Sequence, residues 1–302
     1  MADKILVTGS TGFVGRNLFS YFGARSASEL TPLNLRKSLP DALDQDVSAI
    51  VHLAGKAHDL KKVSQPEDYY KINFELTKQL YDAFLQSDAK KFIFISSVKA
   101  VVDSLDFTLT ENMVPEPQTH YGKSKLMAEE YIRSQSLPEG KSFYILRPCM
   151  IHGPGNKGNL NLLYQLVAKG IPYPLASFDN MRSFLSVENL CFVIREIIDR
   201  DDIPGGTYNV ADDEPLSTNE LIRLLSEAVG KAPRLWSIPT SFIRGMARLG
   251  DKLHLPLTTE RLHKLTENYV VSNEKIKLAL KKDLPLSARE GILKTGRAFR
   301  NA

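Results

Sequence analysis

TGSTGFVG (residues 8–15) sets Gly9, Gly12 and Gly15 at intervals of three. The apolar run KILVTG (4–9) leads into it and reads as a buried strand. FVGRNLFSYFG (13–23) follows it and reads as a helix. A strand, a glycine triplet and a helix in this order suit a phosphate cradle. Backbone without Cβ lets a pyrophosphate approach closely, and a helix N-terminus offers unbonded N–H groups and partial positive charge. The spacing departs from the common G-x-G-x-x-G fingerprint, and a tight strand–helix turn also uses glycine. The flanking elements decide for the cradle.

The alternation continues outward from this unit. LTPLNL (30–35) is a second strand, weakened by Pro32, and SAIVHLAG (48–55) is a strand ending in glycine. Pro66 opens a long helix in which Ile72, Leu76, Leu80 and Phe84 recur at helical spacing. KFIFISS (91–97), YGKSKLMAEEYIRSQ (121–135) and SFYILRP (142–148) read as strand, helix and strand. This pattern predicts an α/β fold, a Rossmann-like doubly wound parallel sheet with helices on both faces. After Pro148 the texture changes. A glycine-rich loop, HGPGNKGN (152–159), is followed by a helix and a turn-rich stretch, GIPYPLASFDNMRSF (170–184). TYNVAD (207–212) is one more strand, and Ser217 with Glu220 forms a capping box for STNELIRLLSEAVG. The last sixty or so residues are helical and basic. The expected organisation is a dinucleotide-binding domain over 1–150, to which a strand near 207–212 returns. Residues 151–302 form mainly a smaller substrate-binding lobe.

Composition narrows the function. With 43% hydrophobic and 25% charged residues the chain is an ordinary soluble globular sequence. A net charge of +4 suits an anionic small molecule; basic residues interspersed with acidic ones argue against nucleic acid. Cys149 and Cys191 form no CxxC, which fits a reduced compartment. No secretory signal pattern opens the chain, and no apolar run is long enough to span a bilayer. The expectation is a cytoplasmic protein with neither a nucleic-acid nor a membrane partner. The six histidines lack metal-ligand spacing, so no metal is expected, and His52 and His58 read as structural.

A dinucleotide needs a ribose contact. An acid about twenty residues past the triplet would bind the 2′-hydroxyl of NAD. Asn34 stands near that point, with Arg36 two residues on. Asn34 can bond a hydroxyl. Arg36 can accept a 2′-phosphate or be a solvated loop arginine. NAD and NADP both stay open.

QTHYGKSK (118–125) places Tyr121 four residues before Lys125. In this composition chance supplies about one tyrosine–cation pair at that spacing, so context decides. Ser96 and Ser97 lie at the carboxyl end of a strand, where open α/β sheets bind ligands. Tyr121 and Lys125 share a helix face near the start of the next helix. A hydroxyl, a phenol and an ammonium can converge at the nicotinamide end of a dinucleotide. A phenol titrates near pH 10, so a base at neutral pH needs roughly 4 kcal/mol of help from the ammonium and oxidised nicotinamide. A tyrosine so tuned takes a proton from a sugar hydroxyl while hydride leaves for the cofactor, and Ser97 bonds the same oxygen.

TGSTGFVG, HLAG (52–55), ISS (95–97) and YGKSK (121–125), in this order, resemble the extended short-chain dehydrogenase/reductases, especially the sugar-nucleotide epimerase/dehydratase family. The similarity covers nearly the whole chain. It implies a Rossmann-like domain, bound NAD or NADP, a C-terminal nucleotide-sugar lobe and a Ser–Tyr–Lys catalytic set. By position these are Ser97 (hydroxyl), Tyr121 (acid/base) and Lys125, which also holds the nicotinamide ribose. Cofactor contacts fall on Gly9, Thr11, Gly12, Phe13, Val14 and Gly15, then on Leu53, Ala54, Gly55, Asn73, Ser96 and Pro148. Substrate contacts fall on Ser97, Lys99 and Arg261, and on Arg182 in RSFLSVENL (182–190), the arginine for the diphosphate. VHLAGKAHD (51–59) with ISSVKA (95–100) is most similar to bacterial polysaccharide-precursor enzymes acting at C4 of UDP-linked sugars. The family's 4,6-dehydratases carry an acidic pair after the hydroxyl residue. Val98 and Lys99 stand there, which disfavours dehydration. The expected activity is a 4-epimerase of a UDP-hexose or UDP-N-acetylhexosamine. Its rivals are a 4-keto-6-deoxy-sugar-nucleotide reductase and a non-catalytic dinucleotide-sensing regulator. The resemblance also implies a homodimer through the helices at 66–86 and 121–135.

Overall fold

Between β1 (Lys4–Thr8) and α1 (Phe13–Gly23) the glycine triplet sits where the sequence puts it. The computed structural model describes residues 4–23, 29–35, 43, 46–56, 65–156, 158–253 and 257–300. The chain continues through β2 (Glu29–Leu33), β3 (Val47–His52), α2 (Pro66–Tyr70), a π turn (Lys71–Glu75), α3 (Leu76–Gln86), β4 (Lys91–Ile95), α4 (His120–Ser134) and β5 (Ser142–Pro148). Next come β6 (Met150–His152), α5 (Asn159–Ala168), β7 (Met181–Arg182), β8 (Phe184–Ser186), α6 (Val187–Asp199) and β9 (Gly206–Val210). The chain ends in β10 (Leu216–Ser217), α7 (Thr218–Val229), α8 (Thr240–Leu253), α9 (Thr259–Thr266), α10 (Glu274–Leu280) and α11 (Ala288–Arg300).

Six parallel strands form the main sheet in the order β2-β1-β3-β4-β5-β9. Both faces are covered, which is why the strands read as unbroken apolar runs. Successive residues alternate between two cores: Ile5, Val7, Ile93, Ile95 and Leu146 enter one, whereas Leu6, Phe92, Phe94 and Ile145 enter the other. The chain reverses direction across the sheet between β1 and β3. A crevice therefore opens beyond their carboxyl ends, where such sheets bind ligands.

A third core, around Leu160, Tyr164, Phe184, Leu225, Ile243 and Ile292, builds the lobe. The strand near 207–212 pairs in parallel with β5. Residues of α6 and α10 also join the first core, so the chain passes between the two bodies more than once. At α7 the Ser217 half of the expected capping box is present, while the Glu220 carboxylate pairs with Arg223 and Arg289. Ser217 Oγ accepts from Glu220 N at 3.0 Å, and Gly230 ends the helix with φ 72°.

The helix opened by Pro66 is not uniform. Its middle widens into the π turn, and Asn73 and Thr77 face inward, whereas Ile72 and Leu76 are half-buried. The apolar period points to the neighbouring face because the inward positions are polar and satisfied by partners that lie far off in sequence.

Candidate active site

Gly9 adopts φ 68°, and a Cβ there would lie 2.7 Å from Ala54 N. Gly12 N donates to Gly9 O at 3.0 Å. Gly15 packs so tightly that a Cβ would overlap Gly9 O and Ser10. The loops after β1 and β3 thus touch through backbone at Gly9, whereas a Cβ at Gly15 would collide with the glycine loop itself. Thr11 is exposed at the rim, while Phe13 and Val14 pack partly on the first core. Asn34 stands exposed just past β2. Arg36 and His58 lie outside the described residues.

A buried polar thread fixes the two loops. Thr8 Oγ1 accepts from Ala54 N at 3.0 Å and meets His52 Nδ1 at 2.7 Å. Thr77 Oγ1 meets His52 Nε2 at 2.9 Å and donates its own proton to Asn73 O. Since the Thr77 hydroxyl proton is used, His52 carries its proton on Nε2 and accepts from Thr8 at Nδ1. Burial, with the charge of Lys125 adding to it, pushes the His52 pKa down to about 3, so this ring stays neutral. Asn73 clamps the next residue along: Lys56 N donates to its Oδ1 at 2.7 Å, and its Nδ2 donates to Lys56 O and to Ser124 Oγ. Leu53, Ala54 and Gly55 are therefore held from both sides.

Ser97 and Tyr121 come together as the resemblance implies. The Ser97 side chain lies close enough to the phenol to lower its pKa, and the Tyr69 ring meets Tyr121 edge-on at 6.4 Å. Burial raises the Tyr121 pKa, with Ser97 working against it. Lys125 stands one helical turn after Tyr121 on α4. Its Nζ donates to Ile95 O at 2.8 Å, lies 4.7 Å over the Phe94 ring and sits beside Gly55 and Asn73. The long side chain reaches the carboxyl end of β4. Burial lowers its pKa to about 8, partly offset by Glu129. Thr119 caps α4 by accepting from Gly122 N, and Asp103 accepts from Gln118 N, Thr119 N and Thr119 Oγ1. Together they set the helix start that carries Tyr121.

Ser96 turns away from the crevice. Its hydroxyl donates to Glu129 Oε1 at 2.5 Å, which leaves only its backbone for a cofactor. Glu129 is fully buried and accepts from Arg147 Nε at 3.0 Å and Nη2 at 2.5 Å. Asp103, Glu129 and Arg147 were missed in the sequence. Only Glu129 had a signal, four residues after Lys125 on the same helix face. Pro148 closes β5, buried opposite Val210.

The lobe supplies the other side. Lys99 Nζ lies 4.2 Å over the Tyr269 ring and donates to Asp103 O. Tyr269 Oη donates to Val102 O at 2.7 Å, which ties the lobe to the segment after Ser97. Arg182 donates to Glu267 O at 3.1 Å and to Lys264 O. Burial lowers the pKa values of both Lys99 and Arg182. Arg261 stands on the exposed side of α9. Among the described residues no group of His, Cys, Asp and Glu could hold a metal ion.

The profile of the NAD dependent epimerase/dehydratase family matches residues 5–211. The chain belongs to this family. It is a family of nicotinamide-dependent enzymes, and the glycine cradle, open only because it lacks Cβ atoms, fits NAD or NADP. The whole chain is 30% identical to a UDP-glucose 4-epimerase of Vibrio cholerae, 97% of which it covers. Over 75% of its length it is 27% identical to a GDP-6-deoxy-D-mannose reductase of Pseudomonas aeruginosa, covering 80% of that protein. In fold it resembles a Bacillus cereus UDP-glucuronic acid 4-epimerase solved with NAD, with TM-score 0.74, 19% identity and 99% of both chains covered. Sugar-nucleotide epimerases and reductases thus both stand among its relatives.

Proposed function

We propose that this family member is a 4-epimerase of a UDP-linked hexose or N-acetylhexosamine. The observation that carries the reading is the nearness of the Ser97 hydroxyl to the Tyr121 phenol, with the buried Lys125 ammonium bonded at the end of β4 beside Gly55. The bound dinucleotide supplies hydride chemistry at C4. Tyr121 moves the proton at O4, and Ser97 holds that oxygen in line. Lys125, cationic below about pH 8, stabilises the phenolate when it forms and bonds the ribose on the cradle side. Lys99 and Arg182 face the diphosphate, for which a planar guanidinium is well shaped. Val98 and Lys99, where a dehydratase needs acids, offer no group to eliminate water.

The raised pKa of Tyr121 favours a second reading. A protonated phenol is ready to donate, as a 4-keto-sugar reductase requires. The test supplies UDP-N-acetylglucosamine and related UDP-hexoses without reduced cofactor. Formation of the C4 epimer with no net change at 340 nm supports epimerisation. No epimer, with stoichiometric NADPH oxidation on a 4-keto-6-deoxy sugar, replaces it with the reductase. We also propose a homodimer through the half-buried Ile72 and Leu76 with Leu126 and exposed Met127 of α4. Sedimentation showing only monomer at micromolar concentration would refute it.

A further inference from the structure

Helix α8 buries one face and leaves a second apolar face in solvent. Ile243, Ala247 and Gly250 are buried against the lobe. Phe242, Met246, Leu249 and Leu253 are 49–60% exposed. At about 100° per residue these four fall within roughly 60° of arc, a continuous stripe and not scattered surface residues. At the same spacing Lys252 lies about 60° from the edge of the stripe, Arg248 about 100° and Arg244 about 140°, all three exposed on the solvent arc of the helix. None of the three has an acidic partner among the described residues. Between residues 231 and 266 the sequence holds seven Lys or Arg against two Asp or Glu, so the net positive charge of the whole chain is concentrated here. Both acids are engaged: Asp251 accepts from Thr259 N and Oγ1, and Glu260 pairs with Lys264.

We propose that α8 is a docking face for an anionic lipid surface, lying in the interface with its apolar stripe inserted. A basic amphipathic helix with large apolar side chains on one arc and cations on its polar arc has this chemistry. A second copy of the chain is a poor occupant, since symmetrical pairing of the stripes would bring Arg248 and Lys252 of each copy against the same cations of the other. Among the described residues no helix is long and apolar enough to cross a membrane. Such a contact departs from the expectation, drawn from the sequence, that the protein has no membrane partner. The face adjoins the substrate side, because α9, which packs on α8, leads into the carbonyls that hold Arg182. The proposal does not depend on which sugar is turned over.

The chain carries its own reporter. Its one tryptophan, Trp236, is exposed just ahead of α8. Intact protein is mixed with vesicles of phosphatidylcholine alone or of phosphatidylcholine with phosphatidylglycerol. The expected result is a blue shift of Trp236 emission and co-sedimentation with the anionic vesicles, at least tenfold stronger than with the neutral ones. Leu249→Glu with Leu253→Glu should cut binding at least tenfold at unchanged melting temperature. Arg244→Gln, Arg248→Gln and Lys252→Gln together should remove the preference for anionic lipid. No shift and no sedimentation with phosphatidylglycerol overturns the proposal. So does concentration-dependent self-association that Leu249→Glu abolishes, which would make the stripe an interface between copies, or binding confined to an acidic protein partner.

Discussion

Replacing Glu129 by Gln removes the negative partner of a guanidinium that has almost no access to water. Arg147 is 2% exposed and Glu129 0%, and three Arg147–Glu129 contacts lie between 2.5 and 3.1 Å. Breaking one side of a buried pair costs about 3–5 kcal/mol, because the remaining charge is left uncompensated. At roughly 2 °C per kcal/mol for a chain of this size, the melting temperature should fall by about 6–10 °C. Removing both charges with apolar residues of similar volume, Glu129→Leu with Arg147→Met, should recover most of that loss. A thermal-melt double-mutant cycle reads the coupling. The pair also reaches the chemistry. Glu129 raises the pKa of Lys125, which burial holds at about 8, so Gln at 129 should move the alkaline limb of the rate profile to lower pH. A Glu129→Gln protein within about 1 kcal/mol of the parent would refute the reasoning.

Tyr121→Phe should keep the fold and dinucleotide binding while turnover falls by about a hundredfold or more; near-parental turnover would remove it from the chemistry. Arg182→Ala should raise KM for the nucleotide sugar and leave cofactor affinity intact, and an unchanged KM excludes it from the site. His52 links stability to acid. Its folded pKa, about 3, lies below the unfolded value of 6.5, so between these the unfolded chain binds the proton and stability falls as pH falls. The slope from this group is about 1.4 kcal/mol per pH unit between pH 6 and 4. It should be missing from the difference between parent and His52→Gln; parallel curves would contradict the neutral thread.

Much of the fold was legible because strands buried on both faces are apolar at every position, as KFIFI and SFYILRP are. The glycine cradle was legible because close backbone approach leaves no choice of residue at Gly9 and Gly15. What escaped reading depends on partners distant in sequence. Spacing put Lys125 next to Tyr121 on the helix, but the direction of its ammonium is set by Ile95 O on another element. Ser96 and Ser97 are adjacent in a strand end and therefore point to opposite sides, one to Glu129 and one to the phenol. A serine pair alone does not say which hydroxyl faces the crevice. Ile72 and Leu76 misled because periodicity weighs apolarity, whereas Asn73 and Thr77 turn inward for hydrogen bonds.

The π turn at Lys71–Glu75 makes the helix around it sensitive to a single codon. A π turn holds about one residue more than the α turn it replaces. Deleting one residue there would let the flanking segments close into an unbroken α-helix, with their own backbone bonds intact or improved. The same deletion would swing the side chain at position 73 by about 100° and release Lys56 from its two hydrogen bonds. The shortened protein should melt no earlier than the parent yet bind dinucleotide more weakly, which separates foldability from loop fixation in one experiment. In the other direction, one inserted residue in a plain helix is enough to turn a polar side chain inward as an anchor for a loop. At this point the chain has exchanged a few ideal helical bonds for a fixed wall beside its cradle.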